Sequence, residues 1–386
     1  MPGAAAIRDA VLLAATAPFF FYTAALVAAA RFSRRVSSGS ADFHPPISIL
    51  KPVRGLDREA YENYASFCRQ DYPDFELLFC VNDQADPAVP VIEKIASDFP
   101  GRSVRLLIGA PALGVSDKVN KLCRLVREAR HEIVLISDSD VRLYPGLFRE
   151  IAGHFCNSDL GGVTCLYRGI SDGSIAGDFE ALGNSTDFAP GVLVAWLLGD
   201  LNFMLGAVMA TTKKQLERIG GFESLVNYLS DDYELGNRLA SAGRRVELSR
   251  FPVSVVYPAQ AFGAALRHQL RWNMTIRCSR PAGHFGLVLT QGLPWSLAAA
   301  FLAPHWWIAL TYIGLYMALR FWIAWSIGVQ LLADGLVEKR IWRLPLRDAV
   351  AFLVWLWSFF PHRIHWRGQE FYIRDKRLVP IPSRQP

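Results

Sequence analysis

No two cysteines stand in a CxxC spacing, and the six present (Cys68, Cys80, Cys123, Cys156, Cys165 and Cys278) are scattered along the chain. That scatter gives no zinc-site pattern, and isolated thiols fit packing roles in a reducing compartment. Internal repeats, low-complexity tracts and nucleic-acid motifs are also missing. The formal charge of +6 is modest, and its arginine clusters flank apolar segments, which points to anionic lipid head groups and to no nucleic-acid partner. Charge is missing altogether from Val11 to Ala30. As a helix that run is about 30 Å long, the thickness of a bilayer's hydrocarbon core.

What is present is apolar surface: 52% of the 386 residues are aliphatic or aromatic, high for a wholly soluble enzyme. A cleaved signal peptide is the competing reading of Val11–Ala30, but the run is long for a signal core and leads into Arg31, Arg34 and Arg35. An anchor with its basic flank in the cytoplasm fits the positive-inside rule. The sequence thus divides into an anchor with a basic linker (1–44), a cytoplasmic α/β catalytic domain (45–281) and an apolar C-terminal membrane domain (282–386).

The middle block alternates short aliphatic runs with helical stretches. Ile47–Leu50, Glu76–Val81, Val104–Ile108 and Ile133–Ser137 read as strands, separated by helices over Tyr61–Arg69, Val89–Asp98 and Lys118–Ala129. This order predicts a mostly parallel, doubly wound sheet with helices on both faces and ligands at its strands' carboxyl ends. In the last block, Leu287–Ala303 and Trp306–Leu332 flank Pro304 and read as a membrane hairpin (287–332), with Lys339, Arg340, Arg343 and Arg347 returning the chain to the cytoplasm. Arg320 falls inside the second arm, where it snorkels, pairs with a lipid phosphate or marks a broken helix. Residues 349–360 are too few to span easily and read as an interfacial or re-entrant segment before a basic tail.

The strongest chemical signal is Asp138-Ser139-Asp140, directly after the run Ile133–Ile136. Two carboxylates at a strand's carboxyl end can meet a hard divalent cation, Mg²⁺ or Mn²⁺, that holds a diphosphate leaving group; the bland alternative is a solvated acidic turn. Asp140 is the expected direct ligand, with Asp138 binding through water or touching a ribose. Asp83 and Asp86, after an earlier strand, can accept a hydrogen bond from a nucleotide base or form an Asx turn. Lys118 and Asn120, near a helix start, suit diphosphate oxygens. In Ser230-Asp231-Asp232-Tyr233, Asp232 is the candidate general base, and acids at a helix N-terminus are the plain reading of the same triplet. Arg271 could neutralise a leaving diphosphate with Trp272 packed beside the acceptor, or the basic stretch from Arg267 to Arg280 could lie on anionic lipid.

In this order, Asp83, Asp138–Asp140, Gly220-Gly221-Phe222 with Asp231-Asp232, and Arg271-Trp272 resemble lipid-directed, family 2-like glycosyltransferases. Ile47-Ser48-Ile49-Leu50-Lys51-Pro52, Gln70-Asp71-Tyr72-Pro73 and Asn82–Pro87 are similar to the opening segment of the ceramide glucosyltransferase family, and the resemblance covers nearly the whole chain. Cys68–Pro73, Thr164–Gly169 and Leu270–Arg277 look most like its bacterial hopanoid-biosynthesis branch. The resemblance implies a GT-A catalytic domain, a UDP-sugar donor, Mg²⁺ or Mn²⁺ and an inverting displacement, in that branch moving N-acetylglucosamine onto bacteriohopanetetrol in the bacterial inner membrane. It also implies that Asp83 binds uridine, Asp140 the metal, Lys118 the diphosphate and that Asp232 is the base. One departure is His268, where the family's Q/RxxRW pattern has Gln or Arg, so Arg267 or His268 takes that leaving-group contact. From another class, a haloacid-dehalogenase-like phosphatase also places DxDx[TV] after a strand, with Asp138 as nucleophile, but such a nucleophile follows its domain's first strand. A non-catalytic membrane scaffold leaves the acidic sites unexplained.

Overall fold

The four aliphatic runs form one side of an eight-stranded sheet in the computed structural model, which describes residues 2–35, 43–360, 363–366, 369–374 and 376–381. The strands are β1 (Ile47–Pro52), β2 (Phe75–Val81), β3 (Ser103–Ile108), β4 (Ile133–Ser137), β5 (Val141–Arg142), β6 (Leu160–Ile170), β7 (Val208–Thr212) and β8 (Arg245–Val256). Their order is β3-β2-β1-β4-β7-β6-β8-β5. β3, β2, β1 and β4 run parallel, and β6 pairs parallel with β8. β7 is antiparallel to both β4 and β6, and β5 to β8, so the sheet is mixed at this end.

β1, β2 and β4 are buried at every position, which is why they read as nearly continuous apolar runs, broken by Ser48, Lys51 and Glu76, and not as alternating ones. Leu50, Leu78, Val134 and Ile136 pack against Val119, Leu122 and Leu125 of the helix Asp117–Glu128, and against Leu235 and Leu239 of the helix Asp231–Ser241. Each such fully buried aliphatic side chain stabilises the fold by about 1.5–3 kcal/mol. The helix Asp117–Glu128 starts where Ser116 accepts a hydrogen bond from the Val119 amide, and that cap fixes where Lys118 stands.

Two compact units emerge. One gathers Val36–Ile170, Asp200–Ala259 and His362–Pro386, and the other gathers Met1–Arg35, Ser171–Gly199 and Gln260–Pro361. The units are thus discontinuous in sequence where the reading by composition placed two simple boundaries.

In the second unit two helices, Ala4–Ser33 and Trp306–Leu331, are long and apolar enough to cross a membrane. The expected first arm of the hairpin is not straight: Pro281–Thr290 and Gly292–Leu302 meet at 51°. At the break the Tyr22 hydroxyl accepts from the Gly292 amide at 3.1 Å and leaves no room for a side chain there. Residues 349–360 belong mainly to the helix Leu344–Trp357. A segment inserted between β6 and β7, Ile175–Leu197, is helical with a π-helical stretch at Asn184–Phe188, and it packs on Ala17–Ser33 with Phe32 edge-on to Trp196. Arg320 adopts none of the three expected arrangements: it is buried and paired inside the protein, donating to both oxygens of Asp348 at 2.7 Å and to the Thr186 carbonyl at 2.6 Å. The helix widens to π geometry just beyond it, over Ala324–Leu331.

Candidate active site

Because β2, β1 and β4 are parallel and in register, the turns that leave them lie on one edge of the sheet. Asp83 follows β2, the Asp138–Asp140 turn follows β4, and Val53 continues β1 between them. Lys118 Nζ sits 2.8 Å from Asp138 Oδ1 and 3.2 Å from Asp231 Oδ2. Gly206 brings in Asp232: a Cβ at that position would lie 3.0 Å from Asp232 Oδ2 and 3.7 Å from Asp138 Oδ2. Lys118, Asp138 and the adjacent pair Asp231-Asp232 therefore converge from three separate stretches of chain.

The electrostatics of the cluster follow from crowding acids at a half-buried edge. Burial and then the neighbouring Asp231 raise the proton affinity of Asp232, with Lys118 opposing them. Burial works against the Lys118 ammonium, but Asp138, Asp231 and Asp232 outweigh it and hold the amine charged above the usual lysine range. Asp140 is raised by burial and then by Asp138 and Asp57, with Lys51 opposing. Lys51 is fully buried; its ammonium donates to the Asp138 carbonyl at 2.8 Å and lies 3.8 Å from the centre of the Phe67 ring. Burial pushes its pKa down to about 7 against the pull of Asp140 and Asp138.

Among the described residues no three His, Cys, Asp or Glu side chains already form a metal-ligating group. The donor set still fits a hard divalent ion: Asp138 and Asp140 offer carboxylate oxygens two residues apart, and Asp57 adds a further negative charge near Asp140.

Several expected residues have other partners. Asp83 is exposed and closes an Asx turn, accepting from the Ala85 amide at 2.8 Å. Asp86 accepts from the Gly55 amide at 2.9 Å and the Ala88 amide at 2.9 Å, tying the loop after β1 to the start of the next helix. The Asn120 amide group is engaged with the backbone of Gly114 at 2.9 and 3.2 Å, which ties down the turn before Lys118. His268, Arg271 and Trp272 belong to the other compact unit, on the helix Phe262–Ser279. There His268 Nδ1 is 2.6 Å from Glu180, a buried carboxylate that also accepts from Gln260 at 2.6 Å, and the His268 ring lies edge-on to Trp272.

Two residues beside the acidic cluster escaped the motif reading. Lys51 did leave a signal, a lone charge near the end of the buried strand ISILKP. Gly206 left none, since its need for a missing Cβ depends on Asp232 folding against it. In the other unit Glu180, the partner of His268, sits in a segment whose partners are distant in sequence.

The model of glycosyl transferase family 21 matches residues 10–379. Ceramide glucosyltransferase 3 of Caenorhabditis elegans is 25% identical over 85% of this chain and 73% of its own length. Ceramide glucosyltransferase 1 of the same organism is 30% identical over 54% of this chain, and the match spans only 45% of that relative. Among solved structures, a mannosyltransferase from Pyrobaculum calidifontis, in complex with GDP-Man and Mn²⁺, superposes with a TM-score of 0.51 at 17% identity, covering 91% of this chain and 99% of that one. That likeness is one of fold, the nucleotide-sugar transferase α/β sheet. With the family model spanning nearly the whole sequence, the chain belongs to glycosyl transferase family 21.

Proposed function

We propose that this protein is a membrane-bound, inverting glycosyltransferase that moves a sugar from a UDP-sugar to a lipid hydroxyl. The observation that carries the reading is the convergence of Lys118, Asp138, Asp231 and Asp232 at the carboxyl edge of the sheet. Asp232, whose proton affinity is raised into a range where it can both accept and release a proton near neutrality, takes the proton of the attacking hydroxyl. Lys118 balances the diphosphate, and Asp83 at the neighbouring strand end meets the uridine base. Asp138 and Asp140 hold Mg²⁺ or Mn²⁺, which when bound neutralises charge on the departing diphosphate. Arg271 and Trp272 are assigned to the leaving group and the acceptor on the strength of their motif. With its Nδ1 on Glu180, His268 is oriented rather than free to follow a ligand.

The two apolar helices, and the exposed Phe301, Trp306, Trp322 and Trp357 of the same unit, support a multi-pass membrane protein with its catalytic unit in the cytoplasm. The favoured acceptor, from the resemblance at Thr164–Gly169 and Leu270–Arg277, is a hopanoid polyol such as bacteriohopanetetrol, with N-acetylglucosamine or glucose as the sugar. The curated relatives named as ceramide glucosyltransferases make ceramide the alternative acceptor. The test is release of UDP from UDP-glucose and UDP-N-acetylglucosamine in the presence of hopanoid polyol, ceramide or diacylglycerol, for the native chain and for Asp232→Asn and Asp140→Asn. Asp232→Asn is expected to abolish turnover with UDP affinity intact, and Asp140→Asn to weaken metal-dependent UDP binding. Turnover by Asp232→Asn removes Asp232 as the base.

A further inference from the structure

Beyond the helix Leu344–Trp357 the described residues form a three-stranded antiparallel sheet, β9 (Arg363–Trp366), β10 (Gln369–Arg374) and β11 (Arg377–Pro380), grouped with the unit that carries the acidic cluster. Phe371 and Leu378 are buried, so the sheet is packed and not merely tethered.

What it packs on is the segment that runs into the candidate base. The Leu378 amide donates to the Asn227 carbonyl at 2.9 Å, and the Leu229 amide donates to the Lys376 carbonyl at 3.3 Å, an antiparallel bridge centred on Tyr228 and Arg377. Two guanidinium groups lie against the Tyr228 ring, Arg377 at 5.2 Å and Arg238 at 4.9 Å from its centre. The Lys376 ammonium lies 5.5 Å from the centre of the Tyr233 ring and 3.7 Å from Glu234. Lys376 holds φ at +64°, a left-handed conformation unfavourable for a side-chain-bearing residue and kept only where surroundings fix it.

The same segment is held from its other side by the turn before Lys118. The Val115 amide donates to Asn227 Oδ1 at 3.1 Å, and the Ser116 amide to the Val226 carbonyl at 2.8 Å. Residues 226–229 thus join the turn before Lys118 on one side to the C-terminal sheet on the other, and the next residues are Ser230, Asp231 and Asp232.

We propose that the C-terminal sheet is a positioning element of the reaction site: by adding its Lys376–Leu378 edge to Asn227–Leu229, it fixes where Asp231 and Asp232 stand relative to Lys118. This rests on the reading of Asp232 as the general base. The sheet touches no reacting atom, so its effect falls on turnover and not on nucleotide affinity. Reacting groups displaced by about 1 Å can lose on the order of 100-fold in rate.

The experiment compares the native chain with Leu378→Pro, which removes the amide that donates to Asn227, and with Lys376→Asn, which tolerates the left-handed backbone and removes the ammonium from Tyr233 and Glu234. UDP affinity, kcat with a UDP-sugar and lipid extract, thermal midpoint and amide hydrogen exchange over residues 226–236 are measured for each. Leu378→Pro is expected to lose exchange protection over 229–234 and about 100-fold in kcat, with UDP affinity within about twofold. Lys376→Asn, which leaves the backbone bridge in place, is expected to lose several-fold in kcat with an unchanged thermal midpoint. Unchanged kcat in both variants overturns the proposal, as does a parallel loss of UDP binding, which would make the sheet a general stabiliser. Asp232→Asn measured alongside separates the two readings. If it turns over, the base assignment fails, while exchange over 226–236 still decides whether the sheet orders that segment.

Discussion

Lys118 Nζ lies 2.8 Å from Asp138 Oδ1, joining a helix start to the turn after the central strand β4. The same ammonium lies 3.2 Å from Asp231 Oδ2, so a shared amine links the Asp138–Asp140 turn to the Asp231–Asp232 turn. The ammonium offsets the charge of three crowded carboxylates, Asp138, Asp231 and Asp232, and on the proposed function the same group meets the negative charge of a diphosphate.

Lys118→Met should therefore fail in two ways, leaving the acids uncompensated and the diphosphate without a cation. Loss of one charge-assisted contact costs about 1.5–3 kcal/mol, so UDP affinity should fall roughly 10- to 100-fold. Lys118→Arg should recover part of it. Isothermal titration with UDP at fixed Mn²⁺ measures both, and a Lys118→Met protein that binds UDP normally would remove Lys118 from the donor site.

Gly206→Ala adds one methyl group 3.0 Å from Asp232 Oδ2. That spacing is too tight to keep without moving the carboxylate, while the glycine's backbone has ordinary torsion angles that alanine accepts. The expected result is a fall in kcat of at least tenfold, about 1.4 kcal/mol, with a thermal midpoint near that of the native chain. Steady-state kinetics beside a melting curve tests it.

The part of this arrangement legible in the sequence is the part fixed by local pattern. β4 occupies the expected Ile133–Ser137, and the helix Val89–Asp98 its expected span, because a buried strand and an amphipathic helix opened by a proline write themselves into short windows. The insertion Ile175–Leu197 was not legible. Asp178, Glu180 and Asp187 interrupt its apolar run, and what makes them tolerable lies far away: Arg343 for Asp178, His268 for Glu180, Arg320 and Arg347 for Asp187. The C-terminal sheet was hidden for the same reason, since its partner segment precedes it by well over a hundred residues. Lys118 and Asp232 could be named from motifs, but their meeting across Asp231 could not.

His154 gives the unit that carries the acidic cluster a pH-dependent stability. Its ring is buried, with Nδ1 2.6 Å from Glu247 and Nε2 3.5 Å from Glu150. Burial disfavours the charged ring, but the two carboxylates prevail and raise its folded-state pKa above the ordinary histidine value. A raised pKa means that the folded state binds the proton more tightly, so the stabilisation is complete below about pH 6.5 and is lost as pH climbs through the higher folded value. The thermal midpoint should fall between pH 6 and pH 9, and His154→Gln should remove that component of the slope. A native chain with a flat profile in this window would show that the imidazole does not titrate with folding.

Arg320 and Asp348 form a two-pronged pair within the membrane-associated unit, and Tyr316 also donates to Asp348 at 2.8 Å. Breaking a buried pair from one side costs about 3–5 kcal/mol because the remaining charge loses its partner, whereas removing both charges is often far milder. Arg320→Met should thus lower the thermal midpoint in detergent sharply, leaving Asp348 with the Tyr316 hydroxyl as its side-chain partner among the described residues. Arg320→Met combined with Asp348→Leu should recover part of that loss, with Arg347 still 2.7 Å from Asp187 to hold the other carboxylate. The double-mutant cycle reads the coupling directly. Simple additivity of the two losses would mean that the charges are stabilised by water or lipid head groups and not by each other.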